Sequence, residues 1–437
     1  MPLSIETMNE LSSEREQLLS DLQADAFKYF LNEVNPENGL VVDSTKVGWP
    51  SSIAAVGVAL SAYPVGIERG LVARDEAVAR TLTLLRFFAN SEQSTSPEAT
   101  GYKGFYYHFL DMQTGRRAWA CELSTIDSAF LFGGMLAAAA FFNHDTADEQ
   151  EIRDQADQLY RRADWQWAMN TGAAISHGWM PETGFLPYRW EGYDESLLLY
   201  ILGLGSPSFP LPFESYQAWA AKYEWKKIYD YEYLYAGPLF THQFSHLWLD
   251  FRGIQDAFMR SHGLDYFENS RRATYAQQEY ARRNPNGFAG YSDLCWGLTA
   301  CEGPGPAELN INGVKRVFFD YVARGIPDGP DDGTLAPWAV VASLPFAPEI
   351  VLPTLEHFRE TQVGKHPYGL EATFNPTFPD EQCRQCGWLS PWHYGINQGP
   401  IVLMIENYRT EQLWRLMRTC PYIVNGLRRA GFSGGWL

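Results

Sequence analysis

Ser124-Thr125-Ile126-Asp127-Ser128-Ala129-Phe130-Leu131-Phe132-Gly133-Gly134-Met135-Leu136-Ala137-Ala138-Ala139-Ala140-Phe141-Phe142 carries one charge, Asp127, and is otherwise apolar or small on every helical face. A helix apolar all round belongs inside a protein, covered by other helices. Its start is marked too, because Ser124-x-x-Asp127 fits the reciprocal Ser/Thr-x-x-acid capping pattern. The next stretch, 148–169, is charged on one side, while Leu159, Ala163 and Trp167 recur at helical spacing. That pattern predicts an outer helix.

The same two flavours alternate along the chain. The apolar kind covers 51–63, 124–142, 194–204, 241–250, 334–344 and 398–408. The charged kind covers 12–32, 73–90, 148–169, 214–227, 266–283, 348–361 and, at the end, 411–428. Six inner helices wrapped by outer ones predict an all-α chain folded as an (α/α)6 toroid with long aromatic-rich loops. Period-two runs are rare, and 315–319 is the one stretch that reads as a strand. No Gly/Ser linker or low-complexity stretch divides the sequence, so residues 1–437 read as a single catalytic domain.

If the inner helices run parallel, their leading ends share a rim. Those ends are Trp49-Pro50, Glu122 to Asp127, Tyr193 to Glu195, His242-Gln243, Asp331 to Thr334 and Asn397 to Pro400, with Pro50, Pro337 and Pro400 marking first turns. Helix N-termini favour carboxylates and developing negative charge.

Two of these ends carry acids among aromatics, as glycosidic cleavage requires: one group protonates the leaving oxygen and a second handles water. Glu195, beside Trp190, Tyr193 and the Leu197-Leu198-Leu199 run, is the candidate general acid, since an apolar surround raises a carboxyl pKa. Asp194 competes for that role but also suits an N-cap. Glu122 precedes the Ser124 cap and is free to face a cleft, whereas Asp127 has capping as its plainer role. His108 and His242 are candidates to hydrogen-bond sugar hydroxyls, although a lone histidine is more often structural.

Bulk properties narrow the classes further. A net charge of −18 argues against polyanion binding and against anionic membranes. Aromatics form 15% of the chain, many in polar loops, which suits rings lining a sugar pocket. Nothing in 1–19 resembles a secretory leader, so a cytoplasmic location is expected, or a periplasmic one if a leader was trimmed. Cys121, Cys295, Cys301, Cys383, Cys386 and Cys420 then read as reduced thiols, and the lone Cys383-x-x-Cys386 pair as a weak zinc signal. No phosphate loop, dinucleotide fingerprint or nucleophile elbow occurs, and no cofactor or metal is expected. An oligosaccharide or polysaccharide is the expected partner, without nucleic acid or membrane, and the sequence does not specify an oligomeric state.

Ordered segments across nearly the whole chain resemble the bacterial glucoamylase-like proteins grouped with glycoside hydrolase family 144, whose characterised members act on β-1,2-glucan. The carriers include Val47-Gly48-Trp49-Pro50-Ser51-Ser52, Glu122-Leu123-Ser124-Thr125-Ile126-Asp127, and Gly192-Tyr193-Asp194-Glu195-Ser196. Others are Phe240-Thr241-His242-Gln243-Phe244-Ser245-His246, Gly290-Tyr291-Ser292-Asp293 with Trp296, and Gln398-Gly399-Pro400. The resemblance implies a rim cleft and metal-independent, inverting hydrolysis. It supports Glu195 as acid and Glu122 and Asp127 as site residues, with Trp49, His108, Tyr193, His242, Gln243, Asp293, Trp296, Asn397 and Gln398 around the substrate. Relatives tend to have Asp before Gln-Gly-Pro where this chain has Asn397, and a neutral amide cannot act as a general base. That departure keeps two alternatives open: a retaining transglycosylase of related architecture, and a non-catalytic sugar-binding relative.

Overall fold

A computed structural model describes residues 5–361, 363, 367–380 and 387–437, so Cys383 and Cys386 lie outside the described residues. The inner elements are the helices Ile53–Glu68, Thr125–Phe141, Leu197–Gly205, Pro337–Ala342 and Gly395–Thr410, plus two 3-10 turns, Leu239–His242 and Phe244–Leu247. Outside them lie Ile5–Asn32, Arg74–Asn90, Ala147–Arg161, Phe213–Ala220, Tyr266–Arg283, Pro348–Glu360 and the closing pair Gln412–Thr419 and Pro421–Arg429. The architecture is the (α/α)6 toroid. Every residue of Leu197–Gly205 is buried, as is every residue from Ile53 to Gly66, the environment an all-apolar helix demands.

The ring closes through specific contacts. Ile53–Glu68 packs on Thr125–Phe141 and on Gly395–Thr410, and Pro337–Ala342 packs on Gly395–Thr410. Ser245 Oγ links the 3-10 turns to the next helix start, accepting from Leu198 N at 3.0 Å and donating to Glu195 O at 3.1 Å. On the other side, the Gln243 amide donates to Ala339 O at 2.7 Å and to Ser343 Oγ at 2.8 Å.

The tightest crossing depends on glycine. A Cβ at Gly134 would lie 2.0 Å from Gly57 O, and one at Gly57 would lie 2.3 Å from Phe130 O. Backbone cannot give way as a side-chain tip does, so Gly134→Ala should destabilise by about 1–3 kcal/mol, as overpacking does. Chemical denaturation of the full chain checks this, and an unchanged midpoint would contradict the packing.

Three expectations need correction. The 241–250 segment is 3-10 turns rather than an α-helix, its Gln243 and Ser245 side chains being drawn into the ring contacts above while the His242, His246 and Leu247 carbonyls accept from Ser270, Trp414 and Asn407. The helix expected over 214–227 ends at Ala220, and Trp225–Ile228 pairs with Tyr231–Leu234 as a hairpin of β-favouring aromatic and branched residues. Pro337 does open its helix, but Pro50 lies ahead of the N-cap Ser52 of Ile53–Glu68, and Pro400 sits inside Gly395–Thr410, whose first turn begins at Gly395. The strand read at 315–319 exists as Val314–Phe318, paired with Ala307–Ile311.

Short strands that leave no periodic trace position the site. Phe105–Tyr107 pairs antiparallel with Leu123–Ser124, which pairs with Gly178–Met180. Ser51–Ser52 pairs with Phe109–Leu110, and Ile53 N donates to His108 O at 3.1 Å. His108 and Glu122 thereby become cross-strand neighbours, His108 N donating to Glu122 O at 3.0 Å. No described helix is long and apolar enough to cross a membrane.

Candidate active site

All six inner elements deliver residues from their first turns, or from just before them, to one cavity of about 650 Å³. Ser52 and Ala54 come from the first, Ile126, Asp127 and Phe130 from the second, and Glu195 from the third. Phe240 and Phe244 come from the 3-10 turns, Trp338 from the fifth element, and Ile396 and Asn397 from the sixth. Two of these starts are capped by serine, the second as the sequence predicts: Ser52 Oγ accepts from Ala55 N at 3.1 Å and Ser124 Oγ from Asp127 N at 3.2 Å. Loops complete the wall with Asp43, Lys46, Trp49, Trp119, Glu302, Asp320, Tyr321 and Tyr394.

Glu195 sits deepest in an electrostatic sense. Burial, and then the negative charge of neighbouring Asp194, hold its carboxyl well above the ordinary carboxylate range. Trp190, whose Nε1 donates to Thr125 Oγ1 at 3.0 Å, lines the same cavity, with the His177 ring stacked on it at 3.9 Å. Asp194 is turned the other way, accepting from Ser196 N and Trp219 Nε1, each at 3.0 Å. It closes a turn ahead of Ser196, which itself stands at the N-cap, and does not line the cavity.

Glu122 and Asp127 flank an imidazole. His108 Nδ1 lies 2.9 Å from Glu122 Oε1, and its Nε2 lies 3.6 Å from Asp127 Oδ2. Asp127 Oδ2 also accepts the hydroxyl of the capping Ser124 at 2.5 Å, so it both steadies the cap and faces the cavity. Burial opposes ionisation of Glu122, but the hydrogen bond and charge of His108 outweigh it and lower its pKa. Burial likewise pulls His108 down, yet Asp127, Glu122 and Asp43 together push it up to about 9. These three side chains offer ligand atoms within 4.8 Å of one another, a set of suitable type for a cation, although here they satisfy each other.

Asp43 adds a further acid. Its Oδ2 accepts from Trp49 Nε1 at 3.1 Å, and burial raises its pKa against the pull of His108. Opposite in charge, Lys46 donates to Glu302 Oε1 at 3.0 Å, lies 4.8 Å from the Trp49 ring, and shares Glu302 with the Tyr394 hydroxyl.

Of the sequence-predicted residues, Trp49, His108, Glu122, Asp127, Glu195 and Asn397 meet in this cavity. Six others do not line it, each for a visible reason. Tyr193 stacks at 5.9 Å on Tyr266 and lies 5.2 Å from the His242 ring. His242 hydrogen-bonds Ala236 O at 3.1 Å, and burial lowers its pKa to about 4. Gln243 fastens the ring of inner elements, as described above. Trp296 is fully buried with Nε1 donating to Thr354 Oγ1 at 2.9 Å, and Gln398 is buried beside His393. Asp293 lies exposed on a loop. Sequence reasoning missed Asp43, Lys46, Trp119, Glu302, Asp320, Tyr321, Trp338 and Tyr394. Asp43 and Lys46 stood within seven residues of Trp49, a proximity that carried a signal.

The remaining cysteines are free thiols: Cys121 half-buried, and Cys295, Cys301 and Cys420 buried.

Known proteins share this fold. A curated relative, an exo β-1,2-glucooligosaccharide sophorohydrolase (non-reducing end) from Parabacteroides distasonis, is 27% identical over 95% of this chain, which spans 58% of that protein's length. A crystal structure of a β-1,2-glucanase from Parabacteroides distasonis superposes with a TM-score of 0.83 at 26% identity, over 95% of this chain and 60% of that one. A glucoamylase-like crystal structure from Bacteroides uniformis matches at 29% identity and a TM-score of 0.85, with both chains covered completely. The model of the family described as "Putative glucoamylase" matches residues 187–421, more than half of the sequence, and with these relatives it bears out the resemblance carried by the motifs. The chain belongs to that family.

Proposed function

We propose that this protein is a glycoside hydrolase that cleaves β-1,2-linked glucan or its oligosaccharides with inversion. Glu195 donates its proton to the glycosidic oxygen, and the carboxylate of Glu122 or Asp127 takes a proton from the attacking water. The observation that carries the reading is the division of acids in one cavity: Glu195 is half-buried with no ion pair to a cation among the described residues, whereas Glu122 and Asp127 face an imidazole. A carboxyl kept neutral beside carboxylates kept ionised is the pairing that acid/base hydrolysis needs. The names of the relatives, a sophorohydrolase and a β-1,2-glucanase, support the linkage. Asn397, at the position where a base would be an acid, supplies an amide for sugar hydroxyls and leaves proton acceptance to the Glu122 segment.

Following product anomers by proton NMR on a panel of linked glucans tests this. The expected first product from β-1,2-glucan is the α-anomer. A β-anomer, with transfer to added acceptor sugar, would instead make the protein a retaining transglycosylase. Binding without cleavage would make it a sugar-binding relative.

Trp119 supports an aromatic rim for the substrate. It is 55% exposed, packs edge-on against Trp49 at 4.6 Å, and holds φ at 54°, which is costly for a bulky residue away from functional sites. Trp119→Ala should raise KM about tenfold, the equivalent of one ring–sugar contact, while kcat changes little. Steady-state kinetics checks it. An unchanged KM would remove Trp119 from the substrate path.

A further inference from the structure

Six carboxyl-bearing residues line one cavity: Asp43, Glu122, Asp127, Glu195, Glu302 and Asp320, of which Glu302 is paired with Lys46. Removing several like charges from water at close quarters is too costly for all of them to ionise, so protons stay on some. Where a positive charge sits decides which. Both ring nitrogens of His108 face carboxylate oxygens, at 2.9 Å to Glu122 and 3.6 Å to Asp127. A neutral imidazole has a single N–H and would leave one of those contacts lone pair against lone pair, whereas an imidazolium serves both.

The ring has little freedom to turn away. It stacks on Phe109 with centroids 3.9 Å apart and planes 15° from parallel, and its backbone is pinned on both sides by Glu122 O and Ile53 N. The neighbouring charged or titratable groups have other partners: Lys46 is paired with Glu302, and His177 stacks on Trp190. Asp43 approaches from the segment before Ser51–Ser52 and is tied to Trp49. The Cys121 thiol engages the Phe109 backbone. Arg117 is committed to Glu182 at 2.7 Å and to Cys121 O at 2.6 Å, which leaves His108 as the cation in contact with both acids.

We propose that His108 is a positioning residue, a standing imidazolium that makes Glu122 and Asp127 the ionised acids of the cavity and leaves the proton of the cleft on Glu195. For its catalytic consequence this rests on the hydrolase reading, but the charge assignment itself requires no substrate. The direction of the His108 and Glu122 shifts described above agrees with it. Without the imidazolium, Glu122 loses the hydrogen bond and the charge that lower its pKa, and burial raises it. The ionised base is then lost as pH falls through a higher value than in the native protein, so the acid limb of the pH–rate profile moves to higher pH.

Two measurements on the full chain test it. In ring proton–nitrogen NMR spectra of substrate-free protein, with His108 assigned from its absence in His108→Gln, both nitrogens should be protonated near neutral pH and titrate well above the ordinary histidine range. A His108 ring that is neutral there would overturn the proposal whether or not the protein hydrolyses any glucan. In pH profiles of kcat/KM on β-1,2-gluco-oligosaccharides, His108→Gln should move the acid limb up by about one unit, a tenfold loss on that limb, and His108→Lys should restore it in part. An unmoved acid limb with a raised KM would make His108 a sugar ligand and overturn the positioning role. If the native protein cleaves no glucan at all, the hydrolase reading fails and the NMR result alone decides the charge assignment.

Discussion

Glu195→Gln should lower kcat on β-1,2-gluco-oligosaccharides by about 10³-fold or more, because an amide keeps the shape of the protonated carboxyl but cannot give up a proton to the leaving oxygen. The variant should fold, and it separates chemistry from stability. Glu195 has a folded-state pKa raised above its unfolded value by burial and by Asp194, so the folded chain holds a proton that the unfolded chain releases. Native stability therefore declines as pH rises from the ordinary glutamate range up through the raised value, and Gln removes that decline. Thermal melts of both proteins across that window, alongside turnover, give the check. Retained turnover in Glu195→Gln would remove it from the acid's role.

The second large effect is on the fold beneath the cleft. Arg324 and Asp332 are both fully buried and joined by two contacts of 2.7 Å. Arg324 also donates to Cys301 O at 2.6 Å and to Phe319 O and Asp320 O at 3.2 Å, while Asp332 accepts from Phe319 N at 2.8 Å and Thr334 N at 3.1 Å. This pair ties together the loops that carry Cys301, Glu302, Asp320 and Tyr321 to the cavity wall. Arg324→Met leaves a buried carboxylate uncompensated and should cost about 3–5 kcal/mol in denaturant unfolding. Burial alone would raise the Asp332 pKa, but Arg324 lowers it. The stabilisation is thus present above the ordinary aspartate range and lost as pH falls through the depressed value. Adding Asp332→Asn to Arg324→Met should recover part of the loss, because no unpaired charge remains. A single variant as stable as the native chain would mean that the pair contributes nothing to holding these loops.

The toroid was legible because burial writes itself into composition. The run from Ser124 to Phe142 has no polar face, and such a helix has nowhere to lie but inside. Glu195 and the Ser124–Asp127 cap were legible for the same local reasons. The partnership of His108 with Glu122 was not, since it arises from strands of two or three residues, too short to show alternation. Gln243 and Trp296 misled for a different reason. They stand in motif-rich segments, yet their polar atoms fasten inner elements or a neighbouring helix, work that calls for specific side chains as surely as binding a sugar does. The expectation that loop aromatics line a sugar pocket also holds only in part, since those from Tyr223 to Tyr235 form a hairpin and an aromatic cluster outside the cavity lining.

The account stands on the protonation of a single side chain, which infrared difference spectroscopy reads directly. Near neutral pH, native protein minus Glu195→Gln should show a protonated carboxylic-acid carbonyl band that is absent from the variant. A difference showing only the loss of an ionised carboxylate would contradict the assignment of Glu195 as the proton donor.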